Sequence, residues 1–385
     1  MTEIRFSFGQ QLAQWYHINK RDLPWRHTKD PYLIWLSEVI LQQTRVAQGL
    51  PYYERFAAAY PTITDLATAS EQDVLRLWQG LGYYSRARNM HATARMIAEK
   101  YSGKFPNNYA DLLQLKGIGP YTAAAIASFA FNEPVAVVDG NVYRVLSRIY
   151  GIADDIASYK GKQVFGLYAQ QLLQESLLLV EPSVYNQAIM EFGAIHCTPA
   201  SPLCPLCIFK DACYAYAHQM QTQLPVRKKK VKVRQRNFFY FILIYENLTL
   251  VRQRDNGDIW QGLYDFPILE QSSGELIASS EMIQQIYEQL LPVMPLQDLA
   301  AGTVVGNFPL QIINISDTYK HQLTHQSLQV QFIQLQVLSP TFWEQLCSMV
   351  SIMQVSFASL EKLPKPILLA NYLQEHFFLV NSYKK

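Results

Sequence analysis

Three features of the sequence predict a two-domain chain, an all-α domain followed by an α+β domain. From residue 10 to about residue 216, apolar side chains recur at three- and four-residue spacing between short Gly, Pro and Asp clusters, a helical pattern with few strand signals. Beyond Asn237, β-rich segments such as NFFYFILIYENLTLVRQR and SLQVQFIQLQVL are joined by helical ones such as ELIASSEMIQQIYEQLL and KPILLANYLQEHF. Between the two lies LPVRKKKVKVRQR, with seven positive residues from Arg227 onward and no acid, which reads as a linker able to touch phosphate. The expected boundaries are therefore 1–220, 221–236 and 237–385. At 385 residues the chain exceeds what one hydrophobic core usually supports, which agrees with this division.

A net charge of +2 conceals an asymmetry. Residues 1–236 hold 26 Lys and Arg against 18 Asp and Glu, whereas the remainder holds 7 against 13, so the first part is suited to a polyanion and the second is not. The longest apolar run, FFYFILIY at 238–245, falls far short of the roughly 20 residues that cross a bilayer. No membrane partner is expected. The start, MTEIRFSFGQ, carries Glu3 and Arg5 and no apolar core, so it does not read as a signal peptide, and the expected location is the cytoplasm, on the nucleoid in a bacterium.

Taken in chain order, the first chemical candidate is Glu38 in DPYLIWLSEVILQQTRV. Its helical neighbours Ile34, Trp35, Leu41 and Gln42 are apolar or neutral, so it is not on a charged face, and a half-buried carboxyl there has a raised pKa. The segment LQLKGIGPYTAAAIASF reads as a helix, a turn at Gly117-Ile118-Gly119, and a second helix opened by Pro120. Glycines let a backbone approach a ligand closely, and free amides at a helix start attract phosphate oxygens. In VAVVDGNVYRVLSRIY, Asp139 or Asn141 caps a helix, where a carboxylate anion is stabilised and can face a cation.

Four of the five cysteines cluster in CTPASPLCPLCIFKDAC, placing Cys197, Cys204, Cys207 and Cys213 in a C-x6-C-x2-C-x5-C pattern. Four thiolates in one loop suit a metal centre, either tetrahedral zinc or a [4Fe–4S] cluster. A single C-x2-C hook with uneven flanks favours iron and sulfur over zinc.

This cysteine loop, following a helical domain, resembles that of the endonuclease III superfamily of DNA glycosylases, and LKGIGPYTAAAIASF resembles the superfamily's helix-hairpin-helix. LSEVILQQTRV resembles the matching stretch of the MutY-type adenine DNA glycosylases. The resemblance implies a helix-hairpin-helix glycosylase domain whose loop holds a [4Fe–4S] cluster and presents basic residues such as Lys210 to DNA. It also implies a catalytic Glu38 and Asp139, with Tyr121 and Asn141 beside them. Breaking the bond from adenine N9 to deoxyribose needs one neutral acid to protonate the base and one anion to face the sugar cation, so two unlike carboxyls suit it. The base must be flipped out of the duplex, and Gln42, Gln43, Thr44, Leu81 and Tyr83 match positions that meet the opened stack. Gly117 and Gly119 match a phosphate grip, and Arg26 and Gln187 match positions that approach the extruded adenine.

DNGDIWQGLYDFP resembles the MutT-like, Nudix-type domain that MutY-type enzymes carry. The Arg and paired glutamates of a working Nudix hydrolase are not found, only scattered acids such as Glu275, Glu281 and Glu288, so a reading role is implied. In KHQLTHQSLQV, Thr324 and His325 lie where the family has Ser-His, contacting 8-oxoguanine opposite adenine, while Leu323 replaces an aromatic residue. The expected partner is double-stranded DNA with A:8-oxoguanine or A:G mispairs, bound by a monomer. Two alternatives compete. A glycosylase/lyase for damaged pyrimidines needs a Schiff-base lysine where this chain has Tyr121. An inactive DNA-binding module needs neither Glu38 nor Asp139.

Overall fold

The structure, a computed structural model, describes residues 2–228, 233–255, 257–271, 309–349 and 351–378. The helix expected over 275–291, with Glu275, Glu281 and Glu288, lies outside the described residues, as do Lys229, Lys230 and Lys232 of the basic segment. Two compact units are present, residues 1–69 with 86–230, and residues 70–85 with 231–385. Segment 70–85 thus groups with the C-terminal unit, although by sequence it interrupts the helical one.

In the first unit, α1 (Thr2–Asn19), α2 (Pro31–Leu41), α3 (Val46–Ala59) and α4 (Ile63–Thr68) precede the break at residue 70. Asp30 caps α2 by accepting the Tyr32 amide at 2.8 Å, with Pro31 at the first helical position. Eight of its eleven residues are buried, Glu38 among them, because α2 is apolar on nearly every side. Arg86 closes its far end, donating from one nitrogen to the carbonyls of Val39, Ile40 and Gln42 at 2.9, 2.9 and 2.6 Å.

The expected helix-turn-helix is present. A short helix at Tyr109–Leu112 leads into the glycine turn, and the second helix (Pro120–Phe131) starts at the expected proline and packs on α2 through Ile34, Ala124, Ala125 and Phe129. Gly117 has φ +85°, and a Cβ there would lie 3.2 Å from that of Asn89. Gly119 is unlike it, with an ordinary φ of −88° and open space where a Cβ would go. Gly117→Ala is therefore expected to cost about 1–2 kcal/mol of stability, and Gly119→Ala almost none, as chemical denaturation of the two variants will show.

The next helix (Gly140–Tyr150), then Tyr159–Ser176 and Pro182–Glu191, surround the main core of this unit, with Phe8, Leu12, Trp15, Leu146, Phe165 and Phe192 at its centre. The last of these helices continues into a π-type turn at Phe192–His196, directly ahead of Cys197.

In the second unit, Glu71–Trp78 forms a helix capped by Ser70, with Val74, Leu75 and Trp78 buried. A mixed sheet is built on a parallel pair, β1 (Arg234–Tyr245) beside a strand at Gln326–Val337, in register from Arg234↔Gln326 to Ile244↔Gln336. The unbroken burial of Phe238 to Ile244 is what a central parallel strand requires. Strands Leu248–Gln253 and Ile268–Gln271 pair antiparallel with β1, and Leu310–Ile315 and Tyr319–Gln322 with its parallel partner. Helix Pro340–Cys347 precedes a last strand, Met353–Ser356, that pairs antiparallel with Leu248–Gln253, and helix Ile367–Leu373 lies within the expected KPILLANYLQEHF. Around DNGDIWQGLYDFP the acids are held by arginines: Arg254 donates to Asp258 and Asp265 at 2.7 and 2.6 Å, and Arg236 to Asp258 and Glu270.

Candidate active site

A cavity of about 590 Å³ in the first unit brings together residues far apart in sequence. Glu38, Tyr121, Asp139, Asn141, Arg26, Gln187 and Thr44 line it, with Glu191, Arg144 and Lys29. Glu38 comes from the middle of α2, Tyr121 from the first turn of the helix after the glycine turn, and Asp139 from the cap of the helix that follows. Tyr121 Oη donates to Glu38 Oε2 at 2.5 Å. Burial pushes the Glu38 carboxyl up to about 7; the Tyr121 bond opposes this, the nearby Asp139 adds to it, and Arg26 opposes it. Burial, with both carboxylates nearby, also holds the Tyr121 phenol well above its ordinary value, so it remains a donor.

Asp139 is built differently. One carboxylate oxygen accepts the amides of Asn141 and Val142, each at 2.8 Å, and the other accepts the Asn141 side-chain amide at 2.7 Å. Burial leaves this carboxyl above its ordinary value as well, although three donors and the nearby Arg144 oppose it. Donors on both oxygens favour the anion, whereas Glu38 accepts one phenol. The Asn141 side-chain Oδ1 accepts from Arg144 at 2.7 Å, and Arg144 also donates to the backbone carbonyls of Gly193 at 2.7 Å and Cys197 at 2.7 Å.

Glu191 has no warning in the sequence. It is 1% exposed, and its carboxylate accepts both Arg21 and Arg26. Burial would push it up, but the two guanidiniums outweigh burial and hold it at about 2. These partners lie 170 and 165 residues away in sequence, and no local spacing announces such a contact. Gln187 accepts the Tyr16 hydroxyl at 3.0 Å.

Set against known proteins, the chain is 33% identical over 329 residues to the adenine DNA glycosylase of Buchnera aphidicola subsp. Baizongia pistaciae, covering 84% of each chain. The chain belongs to the MutY-type adenine DNA glycosylases. Residues 36–164 match the family model described as HhH-GPD superfamily base excision DNA repair protein. The human adenine DNA glycosylase is 45% identical over 219 residues, which span 54% of this chain and 39% of the human one. A solved structure of a thermostable thymine-DNA glycosylase is similar at 29% identity and a TM-score of 0.51, over 56% of this chain and 98% of that one.

Other expected positions of this adenine glycosylase lie outside the cavity. Gln42 donates to Thr122 at 3.3 Å, and Gln43 is exposed with φ +55°. Tyr83 also has positive φ, +49°, and is 39% exposed, whereas Leu81 is only 5% exposed and faces the interior. A non-glycine residue held in this region costs of order 1–3 kcal/mol, a strain that gathers at functional sites. Thr324 and His325 form the exposed tip of the hairpin between Tyr319–Gln322 and Gln326–Val337, closed by the Leu323 amide on the Gln326 carbonyl at 2.8 Å. In the same unit the Tyr83 and Thr324 hydroxyls are hydrogen-bonded to each other.

The four cysteines are half-buried. Among the described residues, no three His, Cys, Asp or Glu side chains stand close enough to hold a single metal ion. The loop nevertheless fits a multi-iron group: Cys197 Sγ takes the Arg148 guanidinium at 3.4 Å, and Cys207 Sγ the Phe209 amide at 3.4 Å, donors that suit thiolates. Burial, with the other three cysteines adding to it and the Phe209 amide opposing it, pushes the Cys207 thiol up to about 12, so the sulfurs are near enough to repel one another as anions. Among the described residues no helix is long and apolar enough to cross a membrane.

Proposed function

We propose that this chain, acting as a monomer, flips adenine out of duplex DNA where it is mispaired with 8-oxoguanine or guanine and hydrolyses its N-glycosidic bond. The reading is carried by two unlike carboxyls, Glu38 and Asp139, on the wall of one cavity. Glu38 gives its proton to adenine N7, the bond from N9 to C1′ breaks, and the electron pair leaves with the neutral base. Asp139, as the anion, faces the sugar cation. Water then adds to C1′ and returns a proton to Glu38. Tyr121 supports Glu38 through its hydroxyl and offers no amine for a Schiff base, so the strand stays intact after the base leaves.

In this reading the helical unit carries the chemistry, the basic stretch tethers only as far as β1, which already begins at Arg234, and the unit built on β1 is a Nudix-like reader. Gly117 and Gly119 grip a phosphate; Gln42, Gln43, Thr44, Leu81 and Tyr83 attend the opened stack; Arg26 and Gln187 approach the base. Thr324 and His325 read the opposite base. Cys197, Cys204, Cys207 and Cys213 would hold a [4Fe–4S] cluster, which supplies a covalent cross-link for the loop. Pure protein is then expected to show a broad visible absorption band and about four irons per chain. A colourless, zinc-containing preparation would refute that part.

Specificity is tested by single-turnover release from duplexes that differ only in the base opposite adenine. Faster release opposite 8-oxoguanine and guanine than opposite thymine supports the reading; equal rates on all three remove the mispair from it. Thr324→Ala is expected to narrow the gap between 8-oxoguanine and guanine, because one hydroxyl that can mark the oxidised base is lost.

A further inference from the structure

Glu191 ends its helix inside the cavity that holds Glu38. Its carboxylate takes two bonds from Arg21, at 2.7 and 2.6 Å, and two from Arg26, at 3.1 and 2.7 Å, besides the Arg21 amide at 3.0 Å. Such two-pronged, charge-assisted pairs fix a guanidinium in orientation as well as in place. Arg26 is itself only 11% exposed, and its charge reaches Glu38, where it favours the ionised form. In a poorly solvated cavity an arginine released from one carboxylate is drawn to the next.

We propose that Glu191 is a positioning residue for the proton donor: by holding Arg26 in a fork on its own carboxylate, it keeps that guanidinium from pairing with Glu38. The inference rests on the reading of Glu38 as the acid. The charged and titratable groups facing Glu38 are Tyr121 from the helix after the glycine turn, Asp139 from the cap of the next helix, and Arg26. Lys29, Arg45 and Arg144 line the same cavity. Those facing Glu191 are Arg21, Arg26 and Tyr16 of α1. Arg26 is the group common to both carboxyls.

The test is the pH dependence of single-turnover adenine release from an A:G duplex. In the wild-type protein the rate falls as pH rises through the value at which Glu38 loses its proton. Glu191→Gln is expected to move the midpoint of that fall down by about one pH unit, which adds about a tenfold loss of rate above the midpoint to any loss seen well below it. Adding Arg26→Met to Glu191→Gln returns the midpoint to its original place or above it, because the charge that favours ionised Glu38 is gone, and Arg21→Met alone, which leaves the Arg26 fork intact, does not lower it. A Glu191→Gln rate reduced by the same factor at every pH, or a midpoint that stays low in the double variant, overturns the proposal. Should Glu191→Gln fail to fold by circular dichroism, Glu191→Asp decides the matter, since it keeps the charge but withdraws the fork by one methylene. A lowered midpoint supports the proposal and an unmoved one overturns it. Turnover by Glu38→Gln at close to the wild-type rate sinks the acid assignment itself, separately from any result on Glu191.

Discussion

Glu38→Gln is expected to lower single-turnover adenine release by about 10²–10⁴-fold, the usual contribution of a positioned general acid, while mismatch binding is retained. The amide keeps the volume, and its carbonyl still accepts the Tyr121 hydroxyl that now meets Glu38 Oε2 at 2.5 Å. Only the transferable proton is lost. The same assignment fixes the sign of the pH dependence. As the acid, Glu38 would act in its protonated form, and with burial raising its carboxyl to about 7 the rate is expected to be highest below that pH and to fall above it. A rate that rises through the same range would mean that Glu38 works as a base in the slow step.

Asp139→Asn is expected to cost about 10²–10³-fold in release, the scale for removing one electrostatic stabiliser of a developing charge, and to do so without unfolding the protein. Asparagine is as good an N-cap as aspartate, and its carbonyl can accept the amides of Asn141 and Val142. The stability effect has a defined sign. Because burial raises the Asp139 carboxyl above its ordinary value, the folded state holds that proton more tightly than the unfolded chain. Its stabilisation is complete below the unfolded pKa and is lost as pH rises through the folded one. At neutral pH the neutral amide escapes that loss, so thermal denaturation should find the variant about as stable as the wild type. A strongly destabilised variant would make Asp139 chiefly a structural cap.

Much of the fold that positions these groups was legible in short stretches. Pro120 after a glycine announced a helix start, Asp139 ahead of Val142, Val145 and Leu146 announced a cap, and the apolar neighbours of Glu38 announced its burial, because each depends on contacts a few residues apart. What escaped depends on long-range contact. Glu191 reads as an ordinary charge near a helix end until folding brings Arg21 and Arg26 to it. Gln43 and Tyr83 are common residue types whose left-handed backbones nothing local demands. The parallel pairing of β1 with the strand that begins near Gln326 joins segments some ninety residues apart, and alternation within either strand cannot specify that partner. Segment 70–85 looks like one more piece of the helical domain, yet it groups with the C-terminal unit, where Gln72 donates to Tyr264 at 2.8 Å and Gln79 accepts the Lys365 amide at 3.3 Å.

The central claim is base hydrolysis by two unlike carboxyls with no Schiff-base amine. It is tested most directly by following free adenine and strand integrity together on duplexes holding A:8-oxoguanine, A:G or thymine glycol opposite A. The predicted result is adenine released from the first two, with the strand broken only after alkali and the third duplex untouched. Strand scission without alkali, or nicking at thymine glycol, would contradict it.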